Sequence, residues 1–337
     1  MAVTPRKSPY IEPARAQRYY AVRQVKEHFP HLDAQTIAYR LAYATFVSLE
    51  HRILYMETPK AACTTMKHFL RELCGAPQIE YPLGELRETR RDMFVHVRSN
   101  VPLPSLLDLD DDAQRQVLSS PEYLRFCVVR NPYTRIVSAW RNKVLYCEPG
   151  YEDVYHSMLG AIPPLHGKRM LPFDEFLRFL EGEPDLCTCN PHWRRQVDLL
   201  YVPAIAYTHV GRLENLSETM RMLRAHVNRA ALPAIGASNS SRGGGGVLTE
   251  SAAARIFALY SADFDTFAYE RESWHEGAKA AGAGTFMPDQ NVFDEIVERN
   301  LVISLLYEQY ASLEARHSRA YRFSLARLQD MLRWRRR

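Results

Sequence analysis

The strongest constraint on this fold is a pair of short apolar runs, each ending at a cation and a loop. The first lies in Arg52–Leu73 (RILYMETPKAACTTMKHFLREL). It opens as Ile53-Leu54-Tyr55-Met56, breaks at Pro59 and crosses Lys60-Ala61-Ala62-Cys63-Thr64-Thr65. Met66, Phe69, Leu70 and Leu73 then recur at helical spacing. Small side chains at such a bend let backbone N–H groups turn inward at a helix N-terminus, which forms a cradle for an anion. A Walker A loop would place glycines in the bend and its Lys-Ser/Thr at the helix entrance. Here the lysine comes first, directly after proline, and the loop has no glycine.

The second run lies in Tyr123–Lys143 (YLRFCVVRNPYTRIVSAWRNK). Leu124, Phe126, Cys127, Val128 and Val129 predict a buried parallel strand. Arg130 stands at its carboxyl end, and Asn131-Pro132 starts a helix with proline in the first turn. Ile136, Val137 and Trp140 give that helix an apolar face. In an open α/β sheet, ligands bind outside the carboxyl ends of the strands. Two such units, each with a cation at the strand end, predict one ligand with two anionic groups.

PKAACTTMK followed by VVRNPYTRIVSAWRNK resembles the paired signature of sulfotransferases that use 3'-phosphoadenylyl sulfate (PAPS). The nearest resemblance is to carbohydrate sulfotransferases of the chondroitin 4-O and HNK-1 type. Further matching segments follow in order: His192-Trp193-Arg194-Arg195-Gln196, Tyr207–Glu214 (YTHVGRLE) and Leu259–Tyr269 (LYSADFDTFAY). The similarity spans roughly Ile53 to Tyr269. The chain departs at Met66, where the family usually has an aromatic residue, and at Asn131, where an acidic residue or histidine is usual. Neither is a group the chemistry needs.

The resemblance implies an α/β, P-loop-like three-layer fold, with a central parallel sheet flanked by helices and a C-terminal helical extension. It divides the chain into a lead-in arm and helix (1–44), a sulfotransferase domain (45–272) and the extension (273–337). It also implies roles. Pro59, Lys60, Ala61, Ala62, Cys63, Thr64 and Thr65 would hold the 5'-phosphosulfate of PAPS, and Lys60 would stabilise the departing bridging oxygen. Arg130 and Ser138 would grip the 3'-phosphate, with Arg242 in the NSSRGGGG loop as a second clamp. His96, between the two motifs, would take the proton of the acceptor hydroxyl, with His192 next in line. His192, Arg194 and Arg195 would face an anionic sugar or the cofactor. Adenosine 3',5'-bisphosphate would be the product. Lysine, arginine and backbone do the neutralising in this scheme, so it requires no metal.

The rest of the chain is read more coarsely. Residues to about Pro30 are expected to form an arm, Asp33–Leu49 a helix, and Met93–Val97 a short strand ending near His96. Asp108, Asp110, Asp111 and Asp112 read as a solvated loop or helix N-terminus rather than a metal site. Cys187, Cys189 and His192 have a spacing outside the standard structural zinc patterns. Phe173–Leu180, Asn215–Leu223 and Thr249–Tyr260 read as helices, and Thr208–Gly211 as a strand. Val292–Leu332 has helix-forming periodicity and a basic end, so a homodimer through these helices is one reading.

A net charge of +4 over 337 residues does not point to nucleic acid. No stretch approaches the ~20 apolar residues of a membrane span, and the first residues carry no apolar signal core. The animal enzymes of the resembling family are Golgi membrane proteins, so an unanchored version reads as bacterial and cytoplasmic. The six scattered cysteines read as reduced thiols. The acceptor expected is a hydroxyl-bearing molecule, most simply a saccharide. Two competitors are weighed. An ATP-dependent phosphotransferase would need a Walker-type Lys-Ser/Thr and a Mg²⁺-holding acid, and neither is found; the other is a catalytically inactive glycan-binding member.

Overall fold

In the computed structural model the described residues are 11–79, 95–145, 172–186, 189–228 and 247–275. Their centre is a mixed sheet of four strands, β1 (Thr45–Ser48), β2 (Ile53–Met56), β3 (Leu124–Val129) and β4 (His209–Arg212), in that spatial order. β1 runs antiparallel to β2, while β2, β3 and β4 are parallel, with Ile53 opposite Leu124 and Phe126 opposite His209. Every residue of β2 and β3 is buried. That explains why β2 reads as an unbroken apolar run, and β3 as one interrupted only by Arg125, rather than as alternating ones.

The alternation of strand side chains divides the packing between two faces. Leu54, Met56, Cys127 and Val129 join a core with α1 (Pro13–Ala16), α2 (Tyr20–His28) and α3 (Ala34–Ala44). Ile53, Tyr55, Phe126 and Val128 join a second core with α4 (Cys63–Leu73), whose Met66, Phe69, Leu70 and Leu73 are the residues spaced for it. A third cluster gathers α6 (Pro132–Ala139), α7 (Phe173–Gly182) and α10 (Glu250–Phe267) around Trp193. The remaining helices are α5 (Asp111–Ser119), α8 (Gln196–Leu199) and α9 (Leu216–His226).

Three expectations change. The helix predicted from Asp33 ends at Ala44, and Thr45–Ser48 is a strand. β-Branched and aromatic residues gain more there by pairing with β2 than by continuing the helix. The N-terminal arm is packed structure from Glu12 onward, since Ala16, Ala21, Val22 and Val25 are buried. Val95 and His96 lie in a 3-10 turn, so His96 does not end a strand. The aspartate row caps helices: Asp108 completes a capping box with Ser105, and Asp110 accepts from the Ala113 N–H at 2.8 Å. Arg242 and residues 229–246, residues 146–171 and the C-terminal stretch expected to be helical lie outside the described residues.

β4 meets α9 at a glycine that has no room for a side chain. A Cβ on Gly211 would stand 2.3 Å from Thr219 Oγ1 and 3.0 Å from its Cγ2. Gly211→Ala is therefore expected to lower stability by about 1–3 kcal/mol through overpacking. Thr219→Ala should restore part of that loss, measured by urea unfolding of the single and double variants.

Candidate active site

β2 delivers the chain to a loop whose backbone is strained where it bends. Lys60 has φ 69° and Ala62 has φ 58°, both in the left-handed region. For residues with a Cβ that region costs about 1–2 kcal/mol each, an expense that persists only when the surroundings fix the geometry. Ala62 is also the N-cap of α4 and supplies no side-chain acceptor. The first intrahelical bond is Met66 N–H to the Ala62 carbonyl at 3.0 Å. The amides of Cys63, Thr64 and Thr65 precede it and form the positive end of the helix.

The second unit closes onto this loop. Arg130 donates through Nη1 to the Lys60 carbonyl (3.3 Å) and through Nε to Thr134 Oγ1 (3.0 Å), so the two strand-end cations belong to one site. Burial pushes the Arg130 guanidinium down to about 10, with Glu214 opposing the shift. It stays charged at neutral pH. Ser138 is buried one turn beyond Thr134 on α6.

Side chains from the later matching segments hold the Arg130 peptide. Gln196 accepts from the Arg130 N–H (2.9 Å) and donates to its carbonyl (2.8 Å). Asp263, from α10, accepts from the N–H groups of Gln196 and Val197, each at 2.9 Å. Burial pushes its carboxyl up to about 6. Glu214 accepts from the Asn131 N–H (2.9 Å) and the Tyr269 hydroxyl (3.0 Å). Arg135, fully buried, donates to the carbonyls of Pro59 (3.1 Å), Arg194 (2.8 Å) and Pro191 (3.1 Å). It thus ties the loop before Lys60 to the segment carrying His192.

His96 reaches this loop, and His192 lies within the field of its Lys60. His96 Nε2 lies 2.9 Å from Thr64 Oγ1 and its Nδ1 lies 3.2 Å from Lys67 Nζ. Lys67 is buried and paired with Glu57 at 2.5 Å. His192 Nδ1 lies 2.9 Å from Asn190 Oδ1. Burial pushes both rings well below the ordinary histidine value, and the charges of Lys60 and Lys143 push further on each. Lys143 belongs to a π-helical turn, Trp140–Val144, a feature concentrated at functional sites.

Both imidazoles are therefore neutral when folded at neutral pH, and unfolding lets them return to 6.5. Below pH 6.5 the unfolded chain binds more protons, so their contribution to stability is full above 6.5 and lost as pH falls. His96→Gln and His192→Gln should each reduce the loss between pH 7 and pH 5 by up to about 1.4 kcal/mol per pH unit. Asp263 acts oppositely, since its raised value makes the folded state bind more protons between 3.8 and about 6. Differences between variant and wild type in urea midpoints isolate the histidines from it.

The structure thus brings Arg130 and His96 onto the loop from Pro59 to Thr65, while Ser138 is buried on α6 and His192 bonds to Asn190 in the segment that Arg135 ties to Pro59. Arg194 instead turns onto the Cys189 carbonyl (2.9 Å through Nε), and Arg195 pairs with Asp198 at 2.6 Å. Among the described residues no group of three His, Cys, Asp or Glu is placed for a metal, and no helix is long and apolar enough to cross a membrane. Cys187 lies outside those residues. Sequence reasoning passed over Glu57, Lys67, Arg135, Lys143, Gln196 and Asp263. Their types carry a signal only once the fold places them: Glu57, Lys67, Arg135, Gln196 and Asp263 are buried, and Lys143 is half-buried.

A mostly parallel sheet with a cation at two adjacent strand ends, beside a helix N-terminus without a side-chain cap, defines an α/β protein of the three-element strand–loop–helix kind. The chain belongs to the sulfotransferase family, whose profile matches residues 43–270. It is 29% identical to carbohydrate sulfotransferase 10 of Gallus gallus over 186 residues, 51% of this chain and 49% of the relative. It is 33% identical to carbohydrate sulfotransferase 14 of Mus musculus over 175 residues, 50% of this chain and 43% of the relative. Carbohydrate sulfotransferase 11 of Danio rerio is 26% identical over 182 residues, 51% of this chain and 49% of the relative. The chain spans about half the length of these curated relatives. No solved structure gives a significant match.

Proposed function

We propose that this chain transfers the sulfuryl group of PAPS to a hydroxyl of a carbohydrate acceptor, through a P-loop-like donor site. The observation that carries the reading is the contact of Arg130 with the Lys60 carbonyl, which supports it by bringing the two strand ends within one hydrogen bond of each other. Family membership and the names of the relatives support sulfuryl transfer and a saccharide acceptor.

In this reading the amides of Cys63, Thr64 and Thr65 and the hydroxyls of both threonines hold the 5'-phosphosulfate. Lys60 neutralises the charge that develops on the bridging oxygen as adenosine 3',5'-bisphosphate departs. Arg130, with Ser138 on the same side of α6, holds the 3'-phosphate by charge-assisted bonds. A neutral imidazole of the site takes the acceptor's proton, since the rings stay unprotonated well below neutral pH. Sulfuryl transfer in line asks mainly for positioning and charge neutralisation, and these residues supply both.

The test is thermal stabilisation by adenosine 3',5'-bisphosphate against ADP and ATP–Mg²⁺. A ligand of the folded state alone raises Tm by mass action. Preference for the 3',5'-bisphosphate is expected, followed by label transfer from PAPS to a panel of desulfated glycosaminoglycan and N-acetyllactosamine oligosaccharides. Preference for ATP–Mg²⁺ would overturn the reading in favour of phosphoryl transfer.

A further inference from the structure

Arg130 lies one residue past the last pair that β3 makes with β4, Val129 with Arg212, and three past its last pair with β2. Beyond the last ladder pair, the peptide groups of a strand need other partners. Side chains supply them here. The Gln196 amide accepts from the Arg130 N–H at 2.9 Å and donates to the Arg130 carbonyl at 2.8 Å. That is the two-bond exchange a facing residue of a neighbouring strand would make. Glu214 takes the next N–H, that of Asn131, at 2.9 Å.

Gln196 is itself fixed from α10. Asp263 Oδ2 accepts from the Gln196 backbone N–H at 2.9 Å and lies 3.4 Å from the Gln196 side-chain nitrogen, while Oδ1 accepts from the Val197 N–H at 2.9 Å. Gln196 and Asp263 are fully buried, so solvent offers no substitute for a bond that either one loses. One turn earlier, at the kink in α10, Tyr260 donates to the Trp193 carbonyl at 2.5 Å and anchors the same segment a second time. The Arg130 guanidinium is held separately, on Thr134 and the Lys60 carbonyl. The Asp263–Gln196 chain thus acts on the Arg130 peptide, which sets the direction in which the side chain leaves the backbone.

We propose that Gln196 and Asp263 are positioning residues that set the preference of the site for a nucleotide carrying a 3'-phosphate: Asp263 orients Gln196, and Gln196 orients Arg130. The assignment rests on the sulfuryl-transfer reading, in which Arg130 meets that phosphate. A guanidinium fork binds phosphate strongly only when its N–H groups and the oxygens lie in register, so a small rotation of the peptide behind it weakens the contact. Gln196 and Asp263 act in this scheme through Arg130 alone.

The test compares adenosine 3',5'-bisphosphate with 5'-AMP, which lacks only the 3'-phosphate, by calorimetry at neutral pH. Wild type should favour the bisphosphate by about 10- to 10²-fold, the worth of one or two charge-assisted hydrogen bonds. Gln196→Met, close to glutamine in length but without the amide, should reduce that ratio about three- to ten-fold and move the affinity for AMP by less than about two-fold. Asp263→Asn keeps the shape but turns an NH₂ group toward a backbone N–H, and should lower the ratio about three-fold. In an Arg130→Met background neither substitution should change the ratio further, since no guanidinium is left to aim. If Gln196→Met fails to fold, Gln196→Glu, which still accepts from the Arg130 N–H but cannot donate to its carbonyl, takes its place. A merely structural role would weaken both nucleotides alike and leave the ratio at its wild-type value. That result would overturn the proposal while the sulfotransferase reading stands. A wild type that does not favour the bisphosphate would remove both.

Discussion

Lys60→Ala is expected to lower turnover with PAPS by about two to three orders of magnitude, the usual cost of removing one donor from a site of developing negative charge. The fold should be little affected. Alanine keeps the Cβ and therefore the same left-handed burden that Lys60 carries at φ 69°. Lys60→Gly sharpens the test, since glycine adopts that conformation without steric penalty. It should be as inactive as Lys60→Ala and at least as stable. Measured kcat/KM and Tm for the pair separate the charge from the backbone. Near-normal turnover in either variant would take the lysine out of the mechanism.

Arg135→Met is expected to cost about 3–5 kcal/mol, the loss typical when one partner of a buried charged arrangement is removed. Its guanidinium serves the carbonyls of Pro59, Pro191 and Arg194, all within 3.1 Å, and Asp263 loses a neighbouring positive charge. Two loops should loosen together, so affinity for adenosine 3',5'-bisphosphate should fall along with Tm. Arg135→Lys, which keeps the charge but not the three-way fork, should lie between. A wild-type melting curve for Arg135→Met would show that the loops hold themselves.

What could be read from sequence was what is local. Ile53–Met56 with α4, and Leu124–Val129 with α6, are each a strand, a bend and a helix within about one βα unit, so periodicity and punctuation define them. β1 was hidden because Thr45 follows α3 without a break and the strand exists only by pairing with β2. His96 was placed in the right interval but in the wrong element. Val95 and Val97 suggest a strand, yet Arg98 draws the chain into turns by donating to the carbonyls of Val101 (3.0 Å), Leu103 (2.9 Å) and Thr45 (3.1 Å). Glu57 and Lys67 flank the loop after β2, one just past the strand end and the other on α4. Nothing in their spacing announces that they form one buried pair. The two cations at the strand ends, by contrast, were legible because that position follows from sheet topology alone.

The π-turn at Trp140–Val144 closes with Leu145 N–H on the Trp140 carbonyl at 2.8 Å, one residue wider than an α-turn. In genealogical terms such a turn is a single inserted residue absorbed without breaking the helix. Each residue turns an α-helix by about 100°, so deleting one residue there would return the helix to regularity and swing Lys143 to another side. A descendant that lost the insertion would keep its fold and its two strand–loop–helix units, yet surrender one of the two lysines whose charge both histidines feel. Sequence length between Pro132 and Lys143 is thus a heritable mark of how this site is charged.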